Sequence, residues 1–128
     1  MSGQLEQIDD CPVKTNVHLL DLNLDSSVTV VFSKYSNKTQ VIITETGKTS
    51  VFYEVTQSQG ERKVFETACI FGTEVEESLI AARIIGELLG SQNHPVVIAF
   101  GFKDLGKALT KSNVSKIVEF IETHQQHE

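Results

Sequence analysis

Residues Pro95–Asp104 read PVVIAFGFKD, and they lie between two segments patterned as helices. Val96 to Phe102 carry no charge and no hydroxyl. A strand that is apolar on both faces must be covered on both, so this run is expected at the centre of a sheet. It leads directly into Lys103 and Asp104, a charged pair at a strand end.

Upstream of this run, five strand-like segments follow one another. Val17 to Leu22 is the first. Val28 to Tyr35 alternates, with Val28, Val30 and Phe32 on one face and Thr29 and Ser33 on the other. Gln40 to Thr46, Thr49 to Thr56 and Val64 to Phe71 complete the set. Ser36-Asn37-Lys38 suits a hairpin because Asn tolerates positive φ. Gly47 supplies the permissive residue of Thr46-Gly47-Lys48. Connections this short predict antiparallel neighbours. The link Gln57 to Lys63 is longer and wholly polar.

The period then changes from two to 3.6. Thr73-Glu74-Val75-Glu76 reads as a capping box at the start of a helix over 74–89. Glu74, Glu76 and Glu77 complement the helix dipole, and Gly90 is a natural stop. A second helix is expected from Ser112 or Asn113, with Val114, Ile117, Val118 and Ile121 on one face. Residues 1–12 read as a mobile leader and 122–128 as a frayed tail. The expected fold is therefore α+β: a single antiparallel sheet of about six strands with two helices packed on it, in the order βββββαβα, forming one domain over 1–128. The sheet face away from the helices is then either polar or meets a partner.

Composition narrows the function. At 128 residues, with 40% hydrophobic and 22% charged residues, the chain can bury a core and is not of disordered type. A net charge of −6 argues against general nucleic-acid binding, which needs clustered Lys and Arg. No apolar run reaches the length of a membrane span. The acidic start, MSGQLEQIDD, resembles no secretory signal. Cys11 and Cys69 make no disulfide framework, which fits a cytoplasmic or also nuclear location.

No motif commits the chain to catalysis. Thr46-Gly47-Lys48-Thr49 resembles the end of a P-loop, but Ile42 stands where the first Gly is required, and a strand follows the lysine. His124 and His127 share a helix face without a third ligand in sequence range, and His18 and His94 stand apart. The spacing of a metal site is not present, and no cofactor is expected. There is no nucleophile elbow. A small cofactor-free enzyme using Lys103, Asp104 or His94 stays open, as does a trafficking scaffold of longin or roadblock type.

Three blocks resemble the proteasome-assembling chaperones, most closely the third family of these proteins. Val28 to Tyr53 is similar to the family's early strands, including the Ser36 turn, the Val41-Ile42-Ile43-Thr44 run and the Gly47-Lys48 turn. Ile70-Phe71-Gly72 followed by acids resembles its strand-to-helix junction, and Val96 to Asp104 its penultimate strand. The fourth chaperone is similar in fold; the Val41 to Lys48 block favours the third. The resemblance implies a non-catalytic chaperone that pairs with itself or with the fourth chaperone. It also implies binding to α-type subunits of the 20S proteasome, promotion of ordered α-ring assembly, and departure before the particle matures. On that reading Glu61, Arg62, Lys63, Lys103 and Asp104, charged and at element ends, are the expected partner contacts.

Overall fold

The computed structural model describes residues 14–24, 26–58, 64–90 and 94–125. Six strands form one sheet: β1 (Lys14–Leu20), β2 (Val28–Lys34), β3 (Thr39–Thr44), β4 (Val51–Gln57), β5 (Phe65–Gly72) and β6 (Val96–Gly101). The helices are α1 (Glu76–Leu89), α2 (Leu105–Ala108) and α3 (Lys111–Gln125). The α+β class and the sheet of six strands with helices on it are as the sequence predicts.

The sheet is mixed rather than purely antiparallel. Its order is β1-β2-β3-β6-β4-β5. β6 runs parallel to β3 and antiparallel to β4. The link between β3 and β4 therefore closes no ordinary hairpin; it straddles the end of β6. The reason lies in β6 itself, which is apolar on both faces and gains most from two strand neighbours. The straddle is hydrogen-bonded on both sides: Glu45 N–H donates to the Gly101 carbonyl (2.9 Å) and Ser50 N–H to that of Phe100 (2.8 Å). Thr44 Oγ1 anchors the bend, 2.7 Å from the Lys48 carbonyl and accepting the Gly47 N–H at 3.0 Å. Gly47 adopts φ +79°, as its position in the turn predicts. A Cβ on Gly101 would overlap the Lys48 carbonyl, so only glycine lets the link pass over β6. In the β2–β3 turn the positive φ expected of Asn37 is not used; the one described non-glycine residue with positive φ is Asn23, at 59°.

One face of the sheet carries the core. Val28, Val30 and Phe32 of β2, Val41 and Ile43 of β3, Val96, Ile98 and Phe100 of β6 and Val51, Tyr53 and Val55 of β4 are buried in cross-strand rows. α1 lays Ser78, Ala81, Ala82, Ile85 and Gly86 on this face. Small residues let it approach closely; a Cβ on Gly86 would collide with the Val55 side chain. α3 adds Val114, Ile117 and Ile121.

The helix starts differ from expectation. α1 begins at Glu76 with Val75 as N-cap, and Thr73 is exposed and caps nothing. Ser78 does the capping instead. Its Oγ accepts the Val75 N–H at 3.3 Å and donates to the Val75 carbonyl at 2.9 Å. The same oxygen lies 2.6 Å from the buried Tyr53 hydroxyl. Tyr53 needs a polar partner in the core, and Ser78 is where the helix supplies it. Gly90 is the C-cap, in extended rather than left-handed conformation. The stretch after β6 holds α2, a helical segment beyond the two expected. Asp104 caps it, accepting the Lys107 N–H at 3.1 Å. Thr110 Oγ1 accepts from Asn113 N–H at 3.2 Å, and Asn113 Nδ2 ties back to the Ala108 carbonyl at 2.8 Å. α3 runs to Gln125, so 122–125 are helical rather than frayed. The leader 1–12 lies outside the described residues.

Candidate interaction surface

Among the described residues all the helices lie on one face of the sheet, and none of them covers the other face. Side chains alternate along strands, so the residues between the core positions point there. In β2, β3, β6 and β4 several of these are apolar too. The strand registers line them up. Val17 pairs with Val31, Val31 with Ile42, and Ile42 with Ala99. Ala99 pairs in turn with Phe52, and Phe52 with Phe71. One unbroken apolar row thus crosses all six strands, about 24 Å from edge to edge at ~4.8 Å per strand.

The row is most open at its ends: Val17 is 62% and Phe71 65% exposed. Phe52 and Phe71 meet edge to face, with ring centroids 5.9 Å apart. Leu19 on β1 and Ile70 on β5 extend the apolar area along the two edges. The row to one side reads Thr15, Ser33, Gln40, Val97, Glu54 and Ala68, which is mostly polar. An apolar centre with a polar margin is the anatomy of a protein interface. The register between Phe52 and Tyr53 is irregular, a bulge that brings Phe71 opposite Phe52 at the sheet edge.

The residues expected to make partner contacts divide. Glu61, Arg62 and Lys63 lie outside the described residues. Lys103 is exposed, and its N–H donates to Glu45 Oε1 at 2.7 Å. Asp104 is exposed but committed as the α2 cap. His94 precedes β6 and Lys103 follows it, so about 20 Å of strand separates them. The geometry therefore does not assemble Lys103, Asp104 and His94 into one site.

Sequence reading set His18 apart, but the fold brings it to α3. Its ring lies 4.3 Å from that of His124 and 5.6 Å from that of Phe120. His124 stacks on Phe120 at 4.0 Å, with Nδ1 2.8 Å from the Phe120 carbonyl. Among the described residues no group of three or more His, Cys, Asp or Glu could hold a metal ion. No described helix is long and apolar enough to cross a membrane.

Comparison with known proteins agrees with the resemblance in the sequence. A chain from the crystal structure of a chaperone complex for yeast 20S proteasome assembly superimposes with a TM-score of 0.69. The match covers 87% of this chain and 98% of that one at 12% identity, a likeness of fold. No curated protein matches the chain. The model of the proteasome assembly chaperone 3 family matches residues 41–123, from β3 into the last turns of α3. That span is well over half of the chain, and the chain accordingly belongs to the proteasome assembly chaperone 3 family.

Proposed function

We propose that this proteasome assembly chaperone works without catalysis, as a dimer formed through the open sheet face. The partner is a second copy or the related fourth chaperone. The dimer binds α-type subunits of the 20S proteasome and promotes ordered α-ring assembly, in the cytoplasm and nucleus. It leaves as later subunits occlude its contacts, before the particle matures. The observation that carries the reading is the apolar row Val17-Val31-Ile42-Ala99-Phe52-Phe71, on the sheet face that the described helices leave uncovered, with Val17 and Phe71 at its ends 62% and 65% exposed.

Two six-stranded sheets stacked through such faces are a common way to bury an apolar layer. The mechanism is templating. Two chaperone surfaces that hold neighbouring subunits raise their effective concentration for each other. Lys103 and the Glu61, Arg62 and Lys63 segment supply charged contacts at the margin of that assembly.

Placing a charge in the row tests the dimer. Val31→Glu puts a carboxylate at the centre of the proposed interface. Sedimentation of wild type at micromolar concentration should give a dimer, and the variant should give a folded monomer. A dimeric Val31→Glu variant, or a monomeric wild type, would contradict the reading.

A further inference from the structure

We infer that Glu54 keeps self-pairing of this chain weak, an inference that rests on the proposal that the open sheet face is the dimer interface. Glu54 stands midway along β4 on that face, two residues from Phe52 of the apolar row and about 7 Å from it along the strand. Its cross-strand neighbours are Val97 of β6 and Ala68 of β5. Along its own strand and face come Phe52 and Thr56. None of these can neutralise a carboxylate, and among the described residues Glu54 makes no ion pair. It is already half-buried in the single chain.

The rest of the face offers no base. Among the described residues, the strand positions that alternate with the core hold one other charged side chain, Glu66, opposite Thr56, and it is acidic too. Lys14, His18 and Lys34 have the opposite parity: Lys14 pairs with Lys34, and His18 with the core residue Val30. Stacked sheets lie about 10 Å apart and leave no layer of bulk water between their inner faces. A second copy brings the same patch to a two-fold contact, so its sheet face brings the same residues. Wherever the axis falls, each Glu54 loses water without meeting a cation from the facing strands. An unpaired charge taken out of water opposes association, and a two-fold pair contains it twice. The apolar layer that drives the pairing is one row deep, because the row beside it is mostly polar. A second copy is therefore a loosely held occupant of this face, which leaves the face open to exchange.

Sedimentation of the full-length chain over a dilution series measures the self-pairing. Glu54→Gln keeps the size of the side chain and removes its charge, and it should tighten the dimer about tenfold or more. Glu54→Asp keeps the charge and should dissociate as readily as wild type. Equal or weaker pairing in Glu54→Gln would overturn the inference, and dissociation of Val31→Glu in the same series would then leave the face dimer standing. Glu54→Asp pairing as tightly as Glu54→Gln would also overturn it, because shape rather than charge would set the affinity. A dimer that survives Val31→Glu would place the interface elsewhere and overturn both readings together.

Discussion

Ser78→Ala should destabilise the chain more than Tyr53→Phe, although both remove the same hydrogen bond. The two hydroxyls are 2.6 Å apart, and both residues are fully buried. Ser78 Oγ also serves the Val75 N–H and carbonyl at the start of α1. Tyr53→Phe takes away one bond and leaves Ser78 with its two Val75 contacts, a cost of about 1 kcal/mol. Ser78→Ala leaves the Tyr53 hydroxyl buried without a partner, about 1–3 kcal/mol, and uncaps the helix for about 1 more. The double variant removes the orphaned hydroxyl, so it should cost less than the two single variants added together.

Urea unfolding at fixed protomer concentration measures all three. The pair also has a signature in pH. Burial raises the Tyr53 ionisation above its usual 10.0, with the Ser78 hydrogen bond opposing. An acid whose folded-state ionisation is raised holds its proton longer when folded. Its contribution is complete below about pH 10 and is lost as pH climbs through the folded value. Wild type should therefore lose stability above pH 10 more steeply than Tyr53→Phe. Equal costs for the single variants, strict additivity in the double variant, or parallel alkaline profiles would refute the reasoning.

Three further outcomes are expected. Gly101→Ala should cost about 2–4 kcal/mol, because the Cβ drives the Lys48 carbonyl away and disturbs the buried bonds that pin the β3–β4 link; thermal unfolding checks this. Gly86→Ala gains about 1 kcal/mol of helix propensity but loses more to collision with Val55, and adding Val55→Ala should restore stability, read in the same assay. Reversing Glu61, Arg62 and Lys63 together should weaken capture of α-type subunits in a pull-down, and unchanged capture would remove that loop from the contact surface.

Much of the fold is legible in the chain because its strands alternate and its helices do not. The run Val96 to Phe102 announces a central strand, and β6 is central. Its place between β3 and β4 is hidden. The turn residues of Thr46-Gly47-Lys48 look the same whether the joined strands touch or hold a third between them. Only the Cβ-free Gly101 hints that chain passes over β6. The start of α1 misleads for a similar reason. Thr73 and Glu76 have capping-box spacing, but the buried Tyr53 hydroxyl recruits Ser78, a demand invisible until strand and helix meet.

The candidate surface shows the same limit. Val31, Ile42 and Phe52 are apolar at the positions opposite the core face, which suggests a second covered face strand by strand. Their alignment into one row depends on registers and on β6 delivering Ala99 to the middle. Phe71 joins only because a bulge shifts β5. Charge at element ends drew attention to Lys103 and Asp104, but Asp104 serves α2 locally.

The central claim is that this chain assists α-ring assembly, and purification of the tagged chain from the cells that make it, with mass spectrometry of its partners, tests it most directly. The account predicts α-type proteasome subunits together with a small sister chaperone, and few β subunits. Recovery of trafficking complexes instead, or of the chain with no proteasome subunit, would contradict it.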